Sequence, residues 1–320
     1  MNIKEIYNLA IKLGRSADPR SKERLKYLLD LEYKKFNSLS DEEKKFFDKE
    51  TLTNPYSDSR YFTDNPKKNV KRILAGIDIE GPEILLASQM NEKSSKKIDL
   101  ILSHHPVGSA LAALDNVMSL QTDLLSNVGV PINIAESLME KRIRQVKRKI
   151  SAVNHYHVLD MAKILQIPVM CIHTPADNMV YSFLKKQINT SKPETVADII
   201  KTLKNIPEYR EASLRGAGPI IFAGNAQRRC GKIVFTEITG GTSGAKEMYE
   251  HMSRAGVGTI IGMHMQEDYR EEAEKHHINV VIAGHIASDS LGLNLILDQI
   301  SNKKIDIIPC SGLIRINRNK

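Results

Sequence analysis

The segment "RILAGIDIEGPEILLASQMNEKSSKKIDLILS", residues 72–103, decides the fold. It opens on a short apolar run, "RILAGIDI", and closes on another, "KIDLILS"; between them "PEILLASQMN" reads as a helix. Short β-branched runs alternating with helices argue an α/β fold whose strands are mostly parallel. The same alternation continues downstream. "IPVMCIH", "PIIFAG", "GKIVFTEI", "VGTIIGM" and "INVVIAGH" read as strands, and "ADNMVYSFLKKQ", "ETVADIIKTLKNI", "SGAKEMYEHMSRAG", "EDYREEAEKHH" and "SDSLGLNLILDQI" as helices. A long helix is expected over about 109–128. Upstream the pattern differs. Residues 1–70 read as helices and loops, with "TNPYSDSRYFTDNPKK" taken as loop because it is rich in turn formers. The expected organisation is a helical N-terminal extension over 1–70 and an α/β domain over 71–320. Within that domain, lobe one spans about 71–180, a connector about 181–217 and lobe two about 218–320.

With 320 residues the chain can bury a sizeable core. Its composition, 41% hydrophobic and 26% charged, is ordinary for a soluble protein. No apolar run reaches the roughly 18 residues a membrane span needs. The opening "MNIKEIYNLAIKLGR" carries charges where a secretory signal would be apolar, so a cytoplasmic location is expected. The net charge of +8 admits acidic ligands. The strongest basic run, "EKRIRQVKRKI" at 140–150, has no aromatic interleaving and reads as a solvated helix face, so nucleic acid is not expected. Cys171, Cys230 and Cys310 lie far apart with no CxxC pair, which argues against a thiolate zinc site and a disulfide framework.

All ten histidines fall between His104 and His285. His104 and His105 end one expected strand. His173 ends another, with Asp177 four residues on; His285 ends a third, with Asp289 four residues on. Ligands of open α/β sheets gather at the carboxyl ends of strands. Three strand tips would therefore bring imidazoles and carboxylates together, as nitrogen–oxygen metal sites require. Each piece alone has a plainer reading; Asp289, for instance, could cap a helix. Neighbouring His104 and His105 would point opposite ways in a regular strand. At a strand end before Pro106 that rule relaxes, and each could reach a different metal.

The blocks "DLILSHHP", "CIHTPADN" and "VVIAGHIASD" resemble three signature blocks of the Ngg-interacting-factor-three-like (NIF3-like) family, whose bacterial members are frequently labelled GTP cyclohydrolase type 2. The resemblance runs over roughly residues 71–312, with the blocks in order. It implies a two-lobed α/β fold, a dinuclear metal site between the lobes, and ring-shaped homo-oligomers, commonly hexamers. The metal ligands it implies here are His104, His105, Asp177, His285 and Asp289. The family's last block usually ends in Glu; this chain has the shorter Asp289. Asp177 is the expected bridge between two metals, with His173 structural or supporting a ligand. His264, where the family often has an acidic residue, is the candidate catalytic group, either a polar group beside the metals or a proton shuttle. A donor set without thiolate suits two divalent ions drawn from Zn, Fe, Mn, Co or Ni.

The expected activity is metal-dependent hydrolysis of a nucleotide-like or phosphate-bearing substrate. The other reading is a non-enzymatic metal-binding, metal-trafficking or regulatory scaffold that binds protein partners. A Gly-rich turn at Gly240, Gly241 and Gly244 reads either as an anion-binding turn or as a tight strand-to-helix connection.

Overall fold

A computed structural model describes residues 1–319. Among these, nine strands run in chain order: β1 Arg60–Phe62, β2 Arg72–Gly76, β3 Leu100–Ser103, β4 Val169–Cys171, β5 Ile220–Ala223, β6 Lys232–Glu237, β7 Val257–Gly262, β8 Asn279–Ile282 and β9 Asp306–Cys310. They form two sheets, a five-stranded one in the order β1-β4-β3-β2-β9 and a four-stranded one in the order β5-β8-β7-β6. All pairings are parallel except β1 with β4 and β5 with β8, both at sheet edges. The mixed, mostly parallel α/β class expected from the alternation is the class observed.

The continuous apolar character of the central strands has a direct cause. Ile73, Leu74 and Ala75 of β2 and Leu100, Ile101 and Leu102 of β3 are fully buried, because helices cover both faces of a parallel sheet. One face is covered by helices Ile3–Ala17 and His285–Ser301, whose Ile3, Ile6, Leu293 and Ile296 pack with Ile73 and Leu102. The other is covered by Gly81–Lys93 and His157–Ile164, whose Ile84, Ala87 and Val158 pack with Leu74 and Ile101.

Four features depart from the sequence reading. Residues 60–62, taken as loop, form β1: Tyr61 pairs with Met170 at the edge of the first sheet. Residues 306–310, not read as a strand, form β9, which returns to the first sheet beside β2, with Ile73 opposite Ile307. The expected long helix over 109–128 is three short ones, Gly108–Ala112, Leu114–Val117 and Ser119–Asn127. It breaks at Ala113, whose carbonyl accepts from the Ser57 hydroxyl at 2.8 Å. Finally, the glycine turn does not lead straight into a helix, since Met248–Arg254 starts four residues beyond Gly244. Gly240 and Gly241 adopt φ +96° and +89°, and the Gly240 carbonyl accepts from Gln121 at 2.8 Å. The turn is a tight packed connection.

Candidate metal centre

The strand tips converge as the alternation suggested. The ladder continues past the end of β3: the His104 and His105 amides donate to the carbonyls of Gly76 and Ile77 at 2.9 and 3.0 Å. Both residues are thereby held just beyond the last paired position of the sheet. From β4 the chain enters helix Thr174–Ser191, which carries Asp177 in its first turn. From β8 it enters helix His285–Ser301 through Gly284, at φ +112°, a backbone region open to glycine. That helix carries Asp289. The two helices touch where Gly292 meets Ala176: a Cβ on Gly292 would fall 2.3 Å from the Ala176 carbonyl oxygen. Glycine is needed for this approach, and the approach brings Asp177 and Asp289 to one point.

Asp289 sits at the centre of the cluster. Its Oδ1 lies 3.5 Å from His104 Nε2, and its Oδ2 lies 3.5 Å from both His105 Nε2 and His285 Nε2. Asp177 Oδ1 lies 3.4 Å from His104 Nε2. These separations exceed ordinary hydrogen bonds. His104 Nε2, Asp177 Oδ1 and both Asp289 oxygens are buried with no hydrogen-bond partner. Leaving such groups unpaired is costly. Donors bonded tetrahedrally to one metal at about 2.0–2.1 Å stand roughly 3.3–3.4 Å apart, which is the spacing seen here. The residues therefore fit a divalent cation. Three triplets could hold one: His104–Asp177–Asp289, His105–His285–Asp289 and His104–His105–His173. Asp289 faces two donor sets, one with each oxygen, whereas Asp177 joins only the first. Asp177 also faces an imidazole with each oxygen, since its Oδ2 lies 3.8 Å from His173 Nε2. Neither Asp289 oxygen accepts a hydrogen bond, so Asp289 does not act as a helix cap.

The other ring nitrogens explain why the Nε2 atoms point inward. His105 Nδ1 meets the Asp78 carboxylate at 2.6 Å, His173 Nδ1 meets Asp58 at 2.8 Å, and His104 Nδ1 meets the Ile172 carbonyl at 3.1 Å. An acceptor at Nδ1 fixes the tautomer that leaves Nε2 free for a metal. Asp58 is fully buried and also accepts from the Thr174 hydroxyl at 2.5 Å.

Protonation within the cluster is pulled in opposite directions. Burial opposes charge on His105, but the Asp289 and Asp78 carboxylates outweigh it and push the imidazole up to about 10. Burial pulls His104 down to about 4, Asp289 only partly countering it. Burial lifts Asp177 to about 8, with Asp289 adding to the effect. Asp289 lies well below the usual carboxylate range despite its burial, because His104, His105 and His285 surround it. A cation among these atoms would replace those protons as the source of positive charge.

His264, at the tip of β7, places its ring 4.7 Å from that of His285, and burial lowers it to about 4. It is a neutral imidazole beside the cluster. Together with Thr236, Glu237 and Met263 it lines a small pocket of about 30 Å³ that also touches Asp177 and Asp289. His251, His276 and His277 stand apart from the centre. His276 follows helix Glu267–Lys275 as its C-cap, and His277 takes φ +60° beyond it. His157 pairs with Glu80 at the surface. Cys171 and Cys230 are buried and Cys310 is half-buried; none joins the cluster.

Sequence reading missed Asp78, Asp58 and Glu237. Asp78 and Glu237 carry the same signal that found the histidines: each lies at the carboxyl end of an apolar run, "RILAGID" and "KIVFTE". Asp58 had no such signal, because its segment reads as loop.

The fold and the cluster together define an α/β protein with a buried histidine–aspartate centre at its strand tips. Over nearly its full length the chain matches a solved NIF3 superfamily protein from Sphaerobacter thermophilus, with a TM-score of 0.75 at 21% identity, covering 98% of this chain and 99% of that one. The fold is therefore the NIF3 fold, and the shared span takes in the N-terminal helical segment. Reduced HcgD from Methanocaldococcus jannaschii matches with a TM-score of 0.49 at 13% identity, over 78% of this chain and 86% of that one. A Bacillus cereus protein related to NIF3 matches with a TM-score of 0.44 at 10% identity, over 99% and 98%. No family model matches the sequence, and no curated protein matches it. No helix among the described residues is long and apolar enough to cross a membrane.

Proposed function

We propose that the chain binds two divalent metal ions and is a metal-dependent hydrolase of nucleotide-like or phosphate-bearing substrates. The observation that carries the reading is Asp289: two buried, unpartnered carboxylate oxygens, each facing a different set of imidazoles. His104, Asp177 and Asp289 would hold one ion, and His105, His285 and Asp289 the other. When bound, such a pair supplies Lewis acidity and lowers the pKa of water. Asp78, Asp58 and the Ile172 carbonyl hold the imidazoles in register. His264 lies beside His285, where a neutral ring can accept a hydrogen bond from water or substrate; the burial that lowers it to about 4 works against a proton-shuttle role. The His105 and His285 side chains are 28% and 40% exposed, so a substrate would approach from their edge.

GTP is the first substrate to try, by resemblance to the family label. Its entry would be from solvent, since the pocket beside the centre holds only about one or two waters. That small cavity also supports the second reading, a metal-trafficking or regulatory scaffold without turnover. A homo-oligomeric, hexameric ring and a cytoplasmic location complete the proposal, again by resemblance; nucleic acid has no place in it.

The test is metal analysis of the purified chain, followed by hydrolysis assays with GTP and a phosphate-ester panel with and without chelator. Two metal equivalents per chain and chelator-sensitive turnover are expected. Two equivalents without turnover would favour the scaffold, and a chain that takes up no divalent metal would end both readings.

A further inference from the structure

A much larger cavity, about 640 Å³, lies away from the metal centre, within the N-terminal segment. Its walls are helix Ile3–Ala17, the start of helix Lys22–Ser38, the turn Lys49–Leu52 and the edge strand β1. Its volume falls in the range of about 300–1,000 Å³ usual for small-molecule sites. Lys4, Asn8, Lys12 and Arg15 stand along one exposed face of the first helix, at the spacing that places side chains in a row. Lys22 and Lys49 close the row from the other walls.

Five cations thus line one cavity, against a single carboxylate, Glu50. Nearby acids are committed elsewhere: Asp18 pairs with Arg20 and Asp48 with Arg60, both at short range. Among the described residues none of the five cations has a carboxylate partner within 4.0 Å. Unpaired charges converging on a concavity raise the local concentration of anions. From Lys4 to Arg15 the row runs roughly 16 Å along the helix axis, more than one phosphate group can bridge.

The far side of the cavity is different. Tyr7 is buried, its hydroxyl donating to the Ser59 carbonyl at 3.0 Å and accepting from Asn54 at 2.7 Å. Tyr61 packs edge-on against it, ring centroids 5.2 Å apart. Glu50 stands beside them. An aromatic wall with a carboxylate acceptor suits a flat, N–H-bearing head group, while the cationic row suits a chain of phosphates. We propose that this cavity binds a nucleoside polyphosphate, with the phosphates on Lys4, Lys12, Arg15, Lys22 and Lys49 and the base towards Tyr61 and Glu50.

The site is independent of the metal centre, so its test does not depend on the proposed hydrolase activity. Titration calorimetry of the full chain in the presence of chelator, with ATP, GTP and tripolyphosphate, measures binding. Saturable binding of at least one nucleotide is expected, weakened at least tenfold in K12E/R15E. The same charge reversal at K147E/R148E, on the separate basic helix, should change it less than twofold. Removal of Glu50's charge in E50Q should weaken nucleotide binding but not tripolyphosphate binding, because a charged acceptor becomes a weaker neutral one while a repulsion of phosphate is relieved. Circular dichroism checks that each variant keeps its helix content. Equal nucleotide binding by the parent and K12E/R15E would overturn the proposal. So would a charge effect shared equally by K147E/R148E, or binding of tripolyphosphate alone with no nucleotide preference abolished by E50Q.

Discussion

Asp289 is one methylene shorter than the glutamate usual at that position in the resembling block, and the site is built around the shorter arm. It is 1% exposed, with imidazoles 3.5 Å away on both sides. Asp289→Asn replaces an anionic donor with a neutral amide and is expected to cut metal content at least tenfold. Asp289→Glu keeps the charge but adds a methylene to a packed site, an overpacking cost of about 1–3 kcal/mol, and should retain metal partially. Elemental analysis after dialysis ranks the three, and equal metal in the parent and the Asn variant would remove Asp289 from the ligand set. Glu237 poses a different residue-scale problem. It is buried beside the centre, and burial raises it from 4.5 to about 7. The folded chain therefore keeps a proton between those values that the unfolded chain has lost. With more protons bound when folded, stability falls as pH rises through this window, by up to about 3 kcal/mol. Urea unfolding of metal-free protein at pH 5 and pH 8 should show a smaller drop for Glu237→Gln than for the parent; the same drop in both would show that Glu237 ionises freely.

At the scale of elements, the contact between helices Thr174–Ser191 and His285–Ser301 decides whether Asp177 and Asp289 meet. Glycine inside a helix costs about 1 kcal/mol relative to alanine, so on propensity alone Gly292→Ala would stabilise. The added Cβ would lie 2.3 Å from the Ala176 carbonyl oxygen and 2.8 Å from Val180 Cγ2. Backbone cannot yield as a side-chain tip can, and the clash should outweigh propensity, for a net loss of about 1–3 kcal/mol. Metal affinity should fall with it, because the helices part at the point where they present their carboxylates. Thermal unfolding and metal titration check the two halves. A variant more stable than the parent, with unchanged metal binding, would show that the crossing has slack.

The whole molecule is closed by its C-terminal segment. After β9 the chain returns to the second half of the protein, where Arg318 makes two 2.7 Å hydrogen bonds to the fully buried Glu208, which also accepts from Asn294 at 2.9 Å. Arg315 pairs with Asp298 at 2.7 Å. Removing one partner of a buried pair leaves the other charge uncompensated. Arg318→Leu is expected to cost about 3 kcal/mol by denaturant unfolding, and Glu208→Gln in the same chain should recover most of it. No recovery in the double variant would place the loss in Arg318's packing, over Phe183, rather than in its charge.

The period and the apolar runs were legible in the chain itself, and so were the strand tips. Burial on both faces leaves a continuous hydrophobic signal in β2, β3, β4 and β8, and His104, His105, Asp177, His285 and Asp289 lie just beyond such runs. β1 and β9 were not legible. They are edge strands, three and five residues long, whose pairing partners lie more than a hundred residues away in sequence for β1 and more than two hundred for β9. Nor could the chain say which carboxylate stands nearest to both groups of imidazoles. Asp177 and Asp289 have the same local pattern, a histidine four residues before an aspartate. Only the crossing of their two helices at Gly292 puts Asp289 among His104, His105 and His285, and Asp177 beside His104 and His173. Sequence thus determined which side chains end on the strand tips, because that follows from local periodicity. The tertiary structure decided which of them share a donor set, because that depends on how closely two helices distant in sequence approach.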